Sequence, residues 1–210
     1  MDLCIAIDVF EEQERNIDNS GQGDRGIFEN NLQKYGNPEI VKILKEDSTR
    51  LTGHDLLKYG HILFASIDGG HTYGHTTNDL RICTEALDAN GIIMIDDVFN
   101  KNFCEVSWGL SDFLHQNPEI TPFCIGFDKV FLCKSSAHDK YIKEIGEKFK
   151  DKFFLMRKRY FGSDIIIYGS FPRHWRYREH IKEKYPGVFE YARNSNLIRK
   201  VYKRCGRFFP

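Results

Sequence analysis

Apolar and polar positions over the first three quarters of the chain alternate between two periods. Short runs of mostly apolar residues, bounded by polar or glycine-containing segments, predict buried β-strands. Between them, apolar residues recur at the three- and four-residue spacing of a helix that faces a core. The predicted strands cover residues 3–10, 40–48, 62–68 and 91–99, and the predicted helices cover residues 25–36, 52–60, 78–91 and 107–118.

Alternating strands and helices predict an α/β fold with a Rossmann-like, mostly parallel sheet. Residues 121–127 and 130–136, joined by Asp128-Lys129, predict an antiparallel hairpin towards the C-terminus. A helix over 139–149 and two more strands or an extended flap over 153–170 complete the pattern. Residues 1–170 are therefore expected to form one α/β domain, and residues 171–210 a basic helical appendage.

Composition narrows the class of protein. The 41% hydrophobic fraction supports a folded core, and no apolar run approaches the roughly 18 residues that a membrane helix needs. The six cysteines are scattered without a C-x-x-C pair, which favours reduced thiols in a cytoplasmic protein over a disulfide framework or a zinc site. Cys4, Cys124 and Cys133 lie in strand-like runs and are expected to be buried.

The net charge is zero but unevenly distributed. Residues 1–100 carry 18 acidic and 8 basic residues, whereas residues 171–210 carry 11 basic and 3 acidic ones. An acidic front favours cations and a basic tail favours anions. Basic residues alternate with aromatic ones in the tail, yet a solvated helical face is the preferred interpretation, and nucleic-acid binding is not favoured.

A glycine motif near the N-terminus is a false lead. Gly21, Gly23 and Gly26 match the spacing of a dinucleotide-binding loop. That loop must follow a strand directly, because the next helix has to meet the phosphate with its N-terminus. Residues 11–20 are polar and unlike a strand. The three glycines are therefore interpreted as part of a flexible loop.

Carboxylates end four successive predicted strands. Asp8, Asp47, Asp68 and the Asp96-Asp97 pair all lie where an apolar run stops. In parallel sheets, ligands bind outside the carboxyl ends of the strands. Asp68, Asp96 and Asp97 close neighbouring strands and are expected to converge as a metal site. Their hard oxygen ligands suit Mg²⁺, Mn²⁺ or Ca²⁺.

His71 follows Asp68 by three residues and is the candidate catalytic base, because its ordinary pKa of about 6.5 suits proton transfer at neutral pH. A metal ligand or a loop hydrogen bond are its alternatives. His75 is interpreted as a surface residue. Phe99, Phe103 and Trp108 could wall a substrate pocket, although core packing is the expected fate of each.

Two further strand-end positions are candidates for binding a nucleoside. Asp8 offers two acceptors that match the two hydroxyl donors of a ribose. Asp47 and Ser48, one strand further out, could reach the nucleoside base.

The segments AIDVF, KEDS, SIDGGHTYGHTTNDL, GIIMIDDVF and PFCIGFDKVFLC resemble class I S-adenosylmethionine-dependent methyltransferases. The group they resemble includes macrolide-sugar and related metal-dependent O-methyltransferases, and the resemblance covers roughly residues 3–170. It implies S-adenosylmethionine as cofactor and Mg²⁺ or another hard divalent cation. It further implies cofactor contacts at Asp8, Asp47 and Ser48, metal ligation by Asp68, Asp96 and Asp97, and proton abstraction from the acceptor hydroxyl by His71.

The family pattern also includes a central strand with a glycine-rich turn ahead of the strand at residues 3–10. Met1 precedes that strand by only two residues, so the chain is expected to be a shortened version of a longer enzyme, or else its sheet closes around the gap. The expected acceptor is a hydroxyl of a small molecule or sugar. The alternatives are a non-catalytic methyltransferase relic that acts as an interaction partner and, ranked last, a metal-dependent hydrolase. Oligomeric state is open.

Overall fold

The described strands of the protein form two sheets. The computed structural model describes residues 3–17, 23–149, 154–169 and 184–187. Eight strands and five helices lie within these residues. The strands are β1 (Cys4–Asp8), β2 (Val41–Lys45), β3 (Ile62–Ile67), β4 (Leu87–Ile95), β5 (Ile120–Gly126), β6 (Lys129–Lys134), β7 (Phe154–Tyr160) and β8 (Ser163–Gly169). The helices are α1 (Arg25–Tyr35), α2 (Gly53–Leu57), α3 (Tyr73–Ala86), α4 (Cys104–Gln116) and α5 (His138–Lys148).

Strand order divides the sheet between β1 and β3. One sheet contains β1 and β2, which are parallel, and the other has the order β3-β4-β6-β5-β8-β7. Strands β3 and β4 are parallel, β5 and β6 form the antiparallel hairpin, and β7 and β8 form a second one. The predicted α/β architecture, with parallel strands followed by an antiparallel hairpin, is confirmed. Among the described strands, β1 and β3 do not pair with each other, and the expectation of a shortened chain stays a prediction.

Helices cover both faces of the larger sheet. Leu132 of β6 packs in the core with Leu80 of α3 and Leu110 of α4, and all three are fully buried. The next residue, Cys133, points to the opposite face and packs with Phe123 and residues of α5. Strand β5 is buried along its whole length, as expected for a strand covered on both sides.

The two sheets share helices on one side of the gap. Leu56 of α2 and Ile82 of α3 form a small buried cluster, against which Ile7 of β1 and Ile62 of β3 both pack. The prediction of buried strands is wrong for part of β3, where Leu63 and Phe64 are 62% and 57% exposed. The uncovered part of β3 borders the gap.

The boundaries of α3 differ from the prediction at both ends. Helix α3 begins at Tyr73 rather than near residue 78, because the Thr72 side chain accepts a hydrogen bond from the His75 backbone N–H and caps the helix. Residues 87–90, predicted as the end of that helix, belong to β4, where Leu87 is buried and pairs with Ile62.

The cysteine and appendage predictions have mixed outcomes. Cys124 and Cys133 are buried, and burial raises the pKa of each thiol to about 12. Cys4 is exposed, against expectation, because it begins β1 beside the gap.

In the described part of the chain, no helix is long and apolar enough to cross a membrane. Apart from residues 184–187, the predicted appendage at residues 171–210 lies outside the described residues.

Candidate functional site

The carboxyl ends of the parallel strands bring together the acidic residues singled out by sequence. Asp8 ends β1, Asp47 follows β2, Asp68 follows β3 and Asp96 follows β4. At this edge, a hydrogen bond links α3 to the residues that follow β2. The Asn78 side chain of α3 donates to the Ser48 carbonyl at 2.8 Å. The candidate residues of both sheets therefore face one region.

Among the described residues, Asp68, His71 and Asp97 form a group of possible metal ligands. Their ligand atoms all lie within 4.8 Å of one another. Nε2 of His71 is 3.1 Å from Oδ2 of Asp97 and 3.5 Å from Oδ1 of Asp68. The His71 side chain is only 9% exposed, whereas that of Asp68 is 58% exposed. The Asp68–His71–Asp97 cluster is thus open to solvent mainly on its Asp68 side.

Neighbouring contacts fix the orientation of His71 and Asp97. The His71 ring stacks on Phe103, with centroids 4.0 Å apart and planes 13° from parallel. Asp97 has a positive φ of 57°, and its Oδ1 accepts a hydrogen bond from Asn100 at 2.8 Å, while its Oδ2 lies nearest His71. The imidazole and the carboxylate are therefore oriented before any ligand arrives.

Gly70 is required by the turn that leads from Asp68 to His71. Its φ is +61°, a conformation that residues with a side chain adopt at a cost. An added Cβ would lie 2.4 Å from Cγ of His75. At Gly69, an added Cβ would meet no atom of the described residues within 4 Å. Packing against His75 therefore requires glycine at position 70, but not at position 69.

Asp96 lies beside the cluster but faces a different partner. Its Oδ2 pairs with the Lys129 ammonium at the start of β6, and its Oδ1 accepts a hydrogen bond from the Asp97 backbone N–H at 2.8 Å. The structure thus brings Asp68 and Asp97 together with His71, whereas Asp96 pairs with the Lys129 side chain. Metal ligation by Asp96 remains a prediction. Lys129 was missed by sequence reasoning, although its place in the turn of the hairpin was a signal.

The predicted nucleoside contacts line one cleft. A cavity of about 640 Å³ lies between β1 and β3 and will be called the inter-sheet cleft. Asp8, Asp47 and Ser48 line its polar end together with Asp68 and Gly70. Its volume is within the usual range for small-molecule sites, roughly 300–1,000 Å³.

Local hydrogen bonds already engage the nucleoside candidates. Asp8 accepts a hydrogen bond from the Phe10 backbone N–H, and its side chain is otherwise at an exposed position. Asp47 caps a 3-10 turn by accepting from the Thr49 N–H and hydroxyl at 2.9 and 2.6 Å. Burial raises the pKa of Asp47, but these hydrogen bonds and neighbouring cationic side chains outweigh burial, so its pKa lies below the ordinary value.

Sequence reasoning also missed a buried polar group on α3. His75, interpreted as a surface residue, is 9% exposed; its Nδ1 is 2.9 Å from the Thr72 hydroxyl and its Nε2 is 3.7 Å from Oδ1 of Asp47. Asp79, one turn later, is 8% exposed, and burial raises its pKa. A helix that begins at residue 73 places residues 75, 79 and 82 on one face, but the hydrophobic pattern predicted a helix only from residue 78.

The three aromatic residues proposed as pocket walls are not all core residues. Phe99 and Trp108 are 49% and 59% exposed, so the expectation of core packing is wrong for them. Phe103 packs partly buried against the core and beneath His71. Phe103 is therefore in contact with the cluster, whereas Phe99 and Trp108 are exposed aromatic side chains.

Comparison with known families adds one finding. Residues 2–98 match the model of a family described as a methyltransferase domain. The match spans β1 to β4 and includes every residue of the cluster. The match is a likeness to a methyltransferase domain over slightly less than half of the chain, and it does not distinguish a metal-dependent O-methyltransferase branch. No curated protein gives a significant match to the chain.

Proposed function

We propose, taking the match to a methyltransferase domain as the premise, that the protein transfers a methyl group from S-adenosylmethionine to a hydroxyl of a small molecule or sugar. The observation that carries this proposal is the convergence of Asp68, His71 and Asp97 at the carboxyl edge of the sheet, beside the cleft lined by the predicted cofactor residues. A base, two carboxylates and a nucleoside-sized cavity are the groups that such a reaction needs.

The donor set fits a divalent cation. Asp68 and Asp97 each offer a hard carboxylate oxygen to the same point, as Mg²⁺ or Mn²⁺ sites require. When bound, the cation would lower the pKa of a coordinated acceptor hydroxyl. Asp96 would join only by leaving Lys129. In this proposal Asp8 takes the cofactor's ribose hydroxyls, and Asp47 with Ser48 contacts its adenine side.

His71 is proposed as the general base. Nε2 would accept the acceptor's hydroxyl proton. S-adenosylmethionine, when bound, would supply the methyl group to that oxygen and leave as S-adenosylhomocysteine. The Phe103 ring beneath the imidazole limits its rotation, so the base is aimed before the acceptor binds. Partial burial of His71 also limits competing contact of this nitrogen with bulk water.

Paired variants separate the roles of His71 and Asp97. Mn²⁺ affinity and S-adenosylhomocysteine affinity would be measured by calorimetry, and turnover by release of S-adenosylhomocysteine over a panel of hydroxyl compounds. We expect Asp97→Asn to weaken Mn²⁺ binding by about tenfold or more. We expect His71→Gln to abolish turnover while Mn²⁺ affinity is kept; a fall in affinity as large as for Asp97→Asn would make His71 a ligand instead.

A matched control is available on α5. The Asp139 carboxylate is fully exposed, so Asp139→Asn removes one negative charge away from the edge and should leave all three measurements unchanged. If the wild-type protein binds no S-adenosylhomocysteine and gives no turnover with any acceptor, methyl transfer is contradicted. A folded protein with that outcome would favour the alternative of a non-catalytic, methyltransferase-like interaction partner.

A further inference from the structure

His75 is a buried side chain to which the proposed reaction assigns no role. It lies in the first turn of α3 and lines the inter-sheet cleft. Asp47, which follows β2, and Gly70, which follows β3, line the same cleft. Burial of a polar ring costs free energy unless its nitrogen atoms find partners, so the contacts of this imidazole indicate what it does.

One side of the imidazole packs against the turn that carries Asp68 and His71. A Cβ added at Gly70 would lie 2.4 Å from Cγ and 2.5 Å from Cδ2 of His75. The ring therefore occupies the space where a side chain at position 70 would lie. Because protein interiors are close-packed, a change in the path of this turn must move the ring. Both Asp68 and His71 belong to the cluster of possible metal ligands, so the ring is in contact with the segment that holds the cation site.

The nitrogen atoms of the imidazole connect this turn to the residues after β2. Nδ1 lies 2.9 Å from the Thr72 hydroxyl, which also accepts a hydrogen bond from the His75 backbone N–H. Because that oxygen already accepts one hydrogen bond, its own proton is available to Nδ1, and a neutral imidazole then carries its proton on Nε2. Nε2 is 3.7 Å from Oδ1 of Asp47. The ring thus bridges Thr72 and Asp47.

Contacts to Oδ1 hold the Asp47 carboxylate in one orientation. Oδ1 accepts hydrogen bonds from the Thr49 backbone N–H and hydroxyl, and it is also the oxygen nearest His75. Within the described residues these contacts converge on one oxygen, which leaves Oδ2 for a ligand in the inter-sheet cleft. A shift of the imidazole would therefore change the carboxylate that the proposed function assigns to the cofactor.

We propose that His75 is a positioning residue that couples the cation site to the nucleoside end of the cleft. A cation held by Asp68 and Asp97 fixes the turn at Gly70, the turn fixes the imidazole, and the imidazole holds the Asp47 carboxylate. Ordering at one site reduces the conformational entropy that the other site must lose, so each ligand raises the affinity of the other by the same factor. The identity of the two ligands rests on the proposed function, whereas the link through His75 rests on contacts alone.

The first experiment uses Mn²⁺ alone and needs no cofactor. Hydrogen–deuterium exchange with mass spectrometry would follow residues 47–51, whose amides include the Thr49 N–H that donates to Asp47. In the wild-type chain we expect saturating Mn²⁺ to slow exchange of this segment by about threefold or more, although the segment lies outside the Asp68–His71–Asp97 cluster. Exchange of the β7–β8 hairpin should not change.

Two substitutions of His75 separate its ring nitrogen atoms. The amide of a glutamine reaches the place of Nε2, whereas the shorter asparagine side chain ends near the place of Nδ1. We expect saturating Mn²⁺ to keep slowing exchange of residues 47–51 in His75→Gln and to lose this effect in His75→Asn. Urea unfolding verifies that both variants are folded, so a loss confined to His75→Asn reports positioning rather than loss of structure.

Asn78→Ala is the matched control. The Asn78 side chain also joins α3 to the residues after β2, through the Ser48 carbonyl, but it lies about one turn beyond His75. Its removal should leave the Mn²⁺ effect on residues 47–51 in place. An effect lost in Asn78→Ala as fully as in His75→Asn would overturn the specific role of His75, because any contact between these elements would then be sufficient.

The second experiment measures the coupling directly. Calorimetry would give the affinity for S-adenosylhomocysteine with and without Mn²⁺. We expect binding to be about fivefold tighter with the cation in wild type and His75→Gln, and to change by less than about twofold in His75→Asn. A ratio that is the same in all three proteins would overturn the proposal.

The two experiments distinguish failure of the coupling from failure of the proposed function. If Mn²⁺ does not change exchange at residues 47–51 in the wild-type chain, the coupling is overturned, even where turnover confirms methyl transfer. If the Mn²⁺ effect depends on His75 in a protein that gives no turnover, the coupling is supported while the proposed function fails.

Discussion

Replacing Gly70 by alanine isolates the turn that carries His71. A φ of +61° is expected to destabilise an alanine by about 1–2 kcal/mol. An added Cβ at 2.4 Å from Cγ of His75 adds an overpacking penalty of about 1–3 kcal/mol. The close atoms of His75 include its Cβ, at 2.8 Å, so the ring cannot swing away without moving its attachment to α3. The free energy of unfolding should therefore fall by about 2–5 kcal/mol.

Gly69→Ala is the matched control for this substitution. Gly69 is not among the described residues with positive φ, and an added Cβ there is unobstructed by the described residues. Its effect should stay within about 0.5 kcal/mol. Urea unfolding followed by circular dichroism measures both variants, with the denaturant slope checking that each transition remains two-state. Equal stabilities of the two variants would refute the packing and backbone reasoning.

Substitutions at three other contacts test how the site is held. Phe103→Leu removes the ring stacked on His71, so turnover should fall about tenfold while Mn²⁺ affinity is unchanged. Unchanged turnover would show that the Phe103 ring does not position His71 for catalysis. Lys129→Gln removes the cation paired with Asp96, which frees Asp96 to become a metal ligand. Calorimetry should then show Mn²⁺ binding several-fold more tightly than to wild type. Equal affinity would contradict a ligand role for Asp96. Asp47→Asn should destabilise the protein at neutral pH, since the pKa of Asp47 is lower in the folded chain and the ionised form is therefore favoured by folding. The difference in unfolding free energy between wild type and variant should be largest above pH 3.8, the ordinary pKa of the carboxyl group, and should shrink as pH falls through the lower pKa of the folded state. Urea unfolding at several pH values measures it, and a difference that grows in acid would contradict this reasoning.

Much of the edge was predictable because its signal is local. An apolar run that stops at a carboxylate identifies the end of a buried strand, and parallel strands end on the same side. Asp8, Asp47 and Asp68 follow that rule directly. The hairpin was equally clear, since two apolar runs joined by Asp128-Lys129 leave few alternatives.

The details that could not be predicted depend on contacts distant in sequence or on backbone conformation. Which of two adjacent aspartates meets His71 is decided by the positive φ of Asp97, which turns one carboxylate towards the imidazole and leaves Asp96 facing Lys129. The burial of His75 follows from a helix start that one hydroxyl, Thr72, determines. Neither signal appears in a hydrophobic pattern.

The deep burial of Cys124 and Cys133 has a practical consequence for following the protein in solution. With their pKa values near 12, these thiols are almost entirely uncharged at neutral pH, and alkylating reagents react with the thiolate. Cys4 and Cys104 are exposed and should be modified first. The rate at which Cys124 and Cys133 are then modified reports how often the strands around them separate. Thiol modification therefore measures opening of the larger sheet without an added label.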